Sequence, residues 1–457
     1  MSRMNLAWLV VVPTLVLAGL VVAATAPPPD ADYKLVRTVV DVLAEVDRSY
    51  VRELTPDEKQ KMVEAMINGG LDKLDPHSQY FTADEFSQFM TQTDGQFGGV
   101  GIMILKDPKT GILKVESPIP GTPAYEAGVQ SGDLIVKVNG QSTEAMTSEE
   151  LRGQIKGKPG TPVALTLLRE GTATPIDVTL DRAMIEIHPV KGFARNPADP
   201  LKWDWLADPE QKVALIRLTT FSEKSDGELR KAVAEAEAAG ARALILDLRD
   251  NPGGLLTQAV AVADLFLTGG PVVSTATKRG PGGSLDPKRT LNAQAAGTVF
   301  EPAADRPMAV LVNRQSASAS EIVAAALQDH KRAVLVGERS YGKGSVQKVF
   351  PLGRAAVKLT TEVWLTPNGK NIHRWPESKE TDEWGVRPDP GLEVKLTDDQ
   401  RREYIKRVVE LDKVRGKPGQ TPAAVPAPAT PGYRDPVIDK AIEYLRGRLA
   451  NPVARPA

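Results

Sequence analysis

Ser316-Ala317-Ser318-Ala319-Ser320-Glu321, with Gly342-Lys343-Gly344 a short way downstream, decides how the chain is read. The apolar run 308–312 has the length of a buried strand, 313–315 is a polar turn, and 321–327 opens an alanine-rich helix. The serine run therefore sits at a strand-to-helix junction. A hydroxyl there projects from a sharp turn, with the first-turn amides of the helix unpaired beside it. Such amides can hold a developing oxyanion, so the junction suits nucleophilic attack on a carbonyl.

A serine nucleophile needs a base. The four histidines, His77, His188, His330 and His373, lie neither in glycine-rich turns nor beside an obvious orienting carboxylate. Lys343 is the better candidate, held between two glycines after the apolar run 334–336. To take a proton near neutrality a lysine must fall from about 10.4 to roughly 7–8, or about 4 kcal/mol of differential solvation. Burial among the surrounding Leu, Val and Ala residues supplies such a cost. A serine-rich helix start is also an ordinary N-cap, which is the bland reading of the same residues.

The run 316–321, Ala326-Leu327-Gln328-Asp329, Val336-Gly337-Glu338 and Tyr341-Gly342-Lys343-Gly344-Ser345-Val346-Gln347 resemble the carboxy-terminal-processing (tail-specific) serine proteases. The resemblance extends from about residue 33 to about residue 449. It implies a serine endopeptidase without a cofactor. Ser318, the middle serine, would be the nucleophile; Lys343, 25 residues later, the base; and Gln347 the residue that orients the lysine.

Composition fits an exported multidomain enzyme. A length of 457 residues predicts two or three domains. A net charge of −1 excludes a strongly basic nucleic-acid binder. The absence of Cys rules out a disulfide framework and any zinc-type Cys/His spacing. Arg3 followed by the uncharged stretch 4–26 reads as an export signal, either a cleaved peptide or a retained membrane anchor. Either reading places the enzyme outside the cytoplasm, in the periplasm or anchored in the inner membrane.

The expected layout is residues 1–26 as signal or anchor, 27–97 as a helical segment, and 98–185 as a PDZ domain. Residues 186–396 form the protease core, and 397–457 hold C-terminal helices around a Pro/Ala-rich linker at 416–431. In the helical segment, Leu35, Val39, Val42, Leu43 and Val46 recur at three-to-four spacing, and such helices would pack on the core or pair two protomers. Residues 74–80, Leu-Asp-Pro-His-Ser-Gln-Tyr, are read as structural despite their Asp and His. Residues 98–181 read as strands around a short helix at 148–155, an order that resembles a bacterial PDZ domain. Amides of the Gly99-Val100-Gly101-Ile102 loop would cap the free carboxylate of an apolar C-terminal tail. The tail would add to the adjacent edge strand, with Leu151 and Ile155 lining its pocket.

From residue 213 onward, strand and helix alternate. The expected fold class is α/β: a mainly parallel sheet with helical cover, a crotonase-like protease core, plus a small β-rich PDZ domain and terminal helical segments. The polar stretch 278–306 reads as a loop. The Asp250-Asn251-Pro252-Gly253-Gly254 turn presents amides without side-chain obstruction. The resemblance implies that Gly253 or Gly254, with Ala319, forms the oxyanion hole. Glu321 is assigned a positioning role. Arg169 resembles a family position that couples the PDZ domain to the core, with a surface arginine as the equal alternative. Together these residues describe a Ser-Lys endopeptidase acting on exported proteins with apolar C-terminal tails. The alternatives are an inactive PDZ scaffold and a crotonase-type acyl-CoA enzyme.

Overall fold

The computed structural model describes residues 31–106, 111–196, 198–199, 201–278, 285–294, 297–301, 306–414 and 434–451. The export stretch 4–26 and the linker 416–431 lie outside them. Among the described residues no helix is long and apolar enough to cross a membrane. The chain divides into two units, residues 1–73 and residues 74–457.

The first unit holds helices α1 (Ala31–Ser49) and α2 (Pro56–Leu71). Pro56 occupies the first helical position of α2, where its missing N–H is not needed. Thr55 and Glu58 close a capping box: the Glu58 N–H donates to Thr55 Oγ1, and Glu58 Oε2 accepts the Thr55 N–H at 2.9 Å. Lys59 pairs with Asp47 at 2.7 Å and links the two helices.

The second unit begins with β1 (Gln79–Phe81), α3 (Ala83–Asp94) and β2 (Gln96–Gly99). A small antiparallel domain follows: β3 (Ile102–Lys106), β4 (Leu113–Pro118), α4 (Pro123–Glu126), β5 (Leu134–Val138), β6 (Gln141–Ser142), α5 (Ser148–Ile155), β7 (Pro162–Leu168) and β8 (Ile176–Asp181). Its sheet runs β3-β4-β5-β7-β8, which leaves β3 at an edge. Strand β9 (Ala183–Glu186) pairs with β2 and joins the two ends of this domain. Strand alternation is strict where it matters: Val163, Leu165 and Leu167 point into the small core, while Ala164 and Leu168 stay exposed.

The remainder contains β10 (Val190–Lys191), β11 (Ala194–Arg195), β12 (Trp203–Asp204), β13 (Leu206–Asp208), β14 (Val213–Leu218), α6 (Ser225–Ala238), β15 (Ala243–Asp247), α7 (Leu256–Asp264), β16 (Gly270–Lys278), β17 (Leu285–Ala293), β18 (Met308–Val312), α8 (Ala319–Asp329), β19 (Val334–Gly337), β20 (Ser345–Leu352), β21 (Ala355–Leu365), α9 (Asp398–Asp412) and α10 (Pro436–Ala450). Strands β14, β15, β18 and β19 are parallel neighbours and are buried on both faces. Ala214, Ile216 and Leu218 face a core shared with α6, α7 and α8, while Val213 and Leu215 face Val437, Ala441 and Leu445 of α10. Fully apolar strands are what such two-sided burial demands.

The mixed α/β class holds, but the expectation of a mainly parallel sheet does not. Among the strands described, parallel pairing joins only those four, with two isolated parallel bridges, Phe221 to Gly254 and Gly337 to Glu393, besides. The second core sheet, β1-β21-β16-β17 with β20 on β21, is antiparallel throughout, as is the small domain. Short returns cause this, because β20 turns directly into β21, and β17 pairs back onto β16. Part of the stretch read as a polar loop is thus β17. It is an edge strand, where Pro287 is tolerated and polarity is no handicap. Residues 79–81, grouped with the helical segment in the sequence, pair with β21 of this sheet.

Candidate active site

Three serines crowd the turn between β18 and α8, and two are structural clamps. Ser316 Oγ donates to the Leu248 carbonyl at 2.8 Å and accepts the Asn313 N–H at 2.9 Å. Ser320 Oγ donates to the Asn251 carbonyl at 2.9 Å. Both are fully buried. Ser318 is different: it is half-buried, and its Oγ, approached only by the Glu321 N–H of the helix start, donates to no acceptor among the described residues. Its backbone holds φ 54° and ψ −115°, a conformation a residue with a Cβ rarely adopts, at a cost of about 1–3 kcal/mol. Strain of this kind aims a hydroxyl outward at a strand-to-helix turn.

The 250–254 turn lies against that junction. The Asn251 carbonyl accepts the Ala317 N–H at 3.1 Å, and its Nδ2 donates to the Leu218 carbonyl at 2.7 Å. Asn251 Oδ1 accepts the Gly253 N–H at 2.9 Å, so that amide is already used. The Gly254 and Ala319 N–H groups have no acceptor among the described residues. Gly253 has φ +101°, and a Cβ added there would fall 2.8 Å from Ser318 Cβ and 3.0 Å from the Ala319 nitrogen. Only glycine permits this approach.

Glu321 gathers the remaining parts. Its Oε2 accepts the N–H of Ser318 and of Lys343, each at 2.8 Å. Its Oε1 accepts Ser340 Oγ–H and the Gly342 N–H, each at 2.6 Å. Burial pushes this carboxyl up to about 7, while the four donors pull it back toward the charged form. The Lys343 carbonyl accepts Trp364 Nε1–H at 3.0 Å, so its backbone is held on both sides. The Lys343 side chain is lowered from the ordinary lysine range, first by burial and then by Lys358, with Glu321 and Asp75 opposing. Its Nζ has no hydrogen-bond or ion-pair partner among the described residues.

Gln347 makes no hydrogen bond to Lys343 among the described residues; its Nε2 donates to Ser345 Oγ at 2.9 Å and Thr360 Oγ1 at 3.1 Å. Asp75 and His77, in the segment 74–80 read as structural, lie near enough to Lys343 to interact with its charge. Burial lowers His77 to about 4, with the Lys343 charge adding to the effect. His373 Nδ1 accepts the Gly344 N–H at 3.2 Å. His188 is engaged elsewhere with Glu228, and His330 with the Pro271 carbonyl. The Asp and His in 74–80 were visible signals. Their pairing with a strand near 360 was not, because that contact spans most of the chain.

In the small domain, the Val100 and Gly101 N–H groups have no acceptor among the described residues, Gly99 pairs with Ala183, and Ile102 opens the edge strand β3. Leu151 and Ile155 are buried in the domain core, on the i, i+4 face of α5. The Arg169 guanidinium is spent inside the same domain, on Asp133 at 2.8 Å and the Gly128 carbonyl at 2.9 Å. None of its hydrogen bonds reaches the core.

The profile of peptidase family S41 matches residues 212–390, and that of the PDZ domain matches residues 114–169. A solved structure of a photosystem II D1 C-terminal processing protease aligns with a TM-score of 0.42 at 27% identity, covering 78% of this chain and 92% of that one. A carboxyl-terminal-processing protease of Synechocystis sp. is 35% identical, covering 70% of this chain and 69% of the relative. A carboxy-terminal-processing protease of Bartonella bacilliformis is 35% identical over 444 residues, 93% of this chain and 91% of the relative. Similarity of that extent, together with a PDZ domain and a strained serine at a strand-to-helix turn, places the chain in peptidase family S41, as a carboxy-terminal-processing serine peptidase.

Proposed function

We propose that this peptidase works through a Ser318-Lys343 pair on exported proteins whose apolar C-terminal tails are held by its PDZ domain. The observation that carries the reading is the shared acceptor. One buried carboxylate oxygen accepts the backbone N–H of both Ser318 and Lys343, which supports a hydroxyl with its proton uncommitted and a partly buried amine without a partner among the described residues working as a pair. Desolvation keeps a fraction of that amine neutral and able to take a proton.

The steps follow. Lys343 Nζ takes the Ser318 Oγ proton as Oγ bonds to the scissile carbonyl carbon. The carbonyl electron pair moves onto oxygen, where the Gly254 and Ala319 N–H groups receive it; the bond from the Gly253 N–H to Asn251 Oδ1 favours Gly254 over Gly253. Collapse of the tetrahedral species breaks the C–N bond, and Lys343 returns its proton to the departing amine. Water then attacks the acyl-serine, with Lys343 again accepting and returning a proton. Gln347 steadies the lysine. Export is supported by Arg3 and the uncharged stretch 4–26. Tail capture is supported by the free Val100 and Gly101 amides beside the β3 edge.

The test is cleavage of an unfolded, apolar-tailed protein by Ser318→Ala and Lys343→Ala, each checked for native melting. Both variants are expected to be inactive, and the double variant no worse than either. Substantial turnover by folded Lys343→Ala overturns the assignment.

A further inference from the structure

Asp75 is distant from the active-site residues in sequence, yet its carboxylate is built into their surroundings. Its Oδ1 accepts the N–H of His77 at 2.8 Å, the N–H of Ser78 at 2.9 Å and Thr360 Oγ1–H at 3.0 Å. Its Oδ2 accepts Ser78 Oγ–H at 2.7 Å, and Ser78 Oγ accepts the Thr360 N–H at 3.1 Å. The 75–78 turn therefore grips Thr360 by both amide and hydroxyl. Thr360 lies on β21 directly across from Gln347 on β20.

Direction along this chain follows from donor and acceptor capacity. An ionised carboxylate can only accept. The hydrogen bonds to Asp75 hold its carboxyl below the ordinary range, in the charged form, against the cost of burial. Thr360 must then spend its single hydroxyl proton on Asp75, and its oxygen can only accept from Gln347. The Gln347 amide meets that demand with Nε2, at 3.1 Å, and its second N–H goes to Ser345 Oγ at 2.9 Å. Both amide protons are committed. Oε1 remains an acceptor without a partner among the described residues, and Lys343 Nζ, four residues back, is a donor without one.

We propose that Asp75 and Thr360 are positioning residues for the base: the carboxylate sets the direction of the chain Asp75–Thr360–Gln347 and thereby holds the Gln347 carbonyl oxygen ready for a Lys343 N–H. The inference rests on Lys343 being the base. A neutral lysine that donates one N–H to Gln347 keeps its lone pair for the Ser318 proton. A reversed amide would present N–H to N–H, and the lone pair would lose its direction. The charged and titratable groups around Lys343 are Lys358 of β21, Glu321 of α8, Asp75 and His77 of the turn, and His373. Lys358 and burial push Lys343 down, whereas the Asp75 charge pushes it up. Asp75 thus has two separable effects, one through hydrogen bonds and one through charge.

The test compares full-length Thr360→Val, Thr360→Ser, Asp75→Asn and Lys343→Ala. It measures kcat per active site titrated with a serine-directed covalent reagent, KM, melting, and the pH profile of kcat/KM. Thr360→Val is expected to lose about 10- to 100-fold in kcat per titrated site with KM unchanged, the scale of a misaligned catalytic group. Thr360→Ser is expected to restore it. Asp75→Asn, lacking the charge, is expected to move the acid limb of the profile to lower pH. Native kcat in Thr360→Val, equal impairment in Thr360→Ser, or an unmoved acid limb in Asp75→Asn overturns the proposal. If Lys343→Ala is inactive while the Thr360 and Asp75 variants behave as the native enzyme, only this inference falls. If Lys343→Ala remains active, the base assignment falls with it.

Discussion

Replacing Gly253 with alanine tests how closely the 250–254 turn is fitted to the nucleophile. The new methyl would stand 2.7 Å from the Ala317 carbonyl oxygen, 2.8 Å from Ser318 Cβ and 3.0 Å from the Ala319 nitrogen. Carbon atoms at rest stand about 3.5–4.0 Å apart, so the serine turn must retreat by roughly 0.7 Å or more. The backbone adds a second penalty, because φ +101° suits glycine and costs an alanine about 1–2 kcal/mol. Stability should fall by about that amount or somewhat more. Activity should fall further, since a misplacement near 1 Å can cost 10²-fold, giving an expected loss of roughly 30- to 100-fold in kcat. Gly269→Ala is the matched control: its φ is +134°, but a methyl there meets nothing within 4 Å. It should reproduce the stability loss without the catalytic one. The assay is steady-state cleavage of a peptide alongside thermal melting of both variants. Native kcat in Gly253→Ala, or equal kcat losses in the two variants, would refute the claim that this turn sets the nucleophile's position.

Amidating the C-terminus of a substrate should weaken its cleavage roughly ten- to hundredfold, because charge-assisted hydrogen bonds to the Val100 and Gly101 amides, worth about 1.5–3 kcal/mol, are lost; equal cleavage of the two forms removes the tail-capture claim. Arg169→Ala should destabilise the PDZ domain by about 3 kcal/mol, since it strands the fully buried Asp133, while kcat on short peptides lacking a captured tail stays native; calorimetry and peptide kinetics check the two halves. Lys343→Met should erase a pH dependence of stability. The folded lysine titrates below its unfolded value, so between the two the unfolded chain binds more protons and stability rises with pH. Denaturant melts should therefore show the native chain gaining on Lys343→Met as pH rises toward about 10.4, and a constant difference would contradict the depressed lysine.

Local pattern carried the sequence reading wherever the determinant was local. The apolar run 308–312 followed by the serine turn appears as β18 and the start of α8, and the period of the stretch 134–138 appears as β5. Strand 285–293 was missed because an edge strand needs no apolar face, so its Lys, Arg and Pro imitate a loop. Leu151 and Ile155 were correctly grouped on one face, but sequence spacing does not say whether that face meets ligand or core. Ser318 could be chosen from three serines only by resemblance. In the structure the hydroxyls of Ser316 and Ser320 are tied to the neighbouring turn, whereas that of Ser318 is not. The hydrogen bonds that join residues 75 and 78 to Thr360 were illegible because the partners lie far apart along the chain.

The claim that Lys343 activates Ser318 is tested most directly by the rate at which a small fluorophosphonate modifies Ser318, followed by mass spectrometry as a function of pH. Such a probe bypasses tail capture and reads the hydroxyl and its base alone. The account predicts a single adduct on Ser318 and a rate that rises with pH through a midpoint below 10.5, the ordinary lysine value. It also predicts near-complete loss of modification in Lys343→Ala, and a rise that persists in His77→Asn and His373→Asn. Persistence of the adduct and its pH dependence in Lys343→Ala, with their loss in either histidine variant, would contradict it.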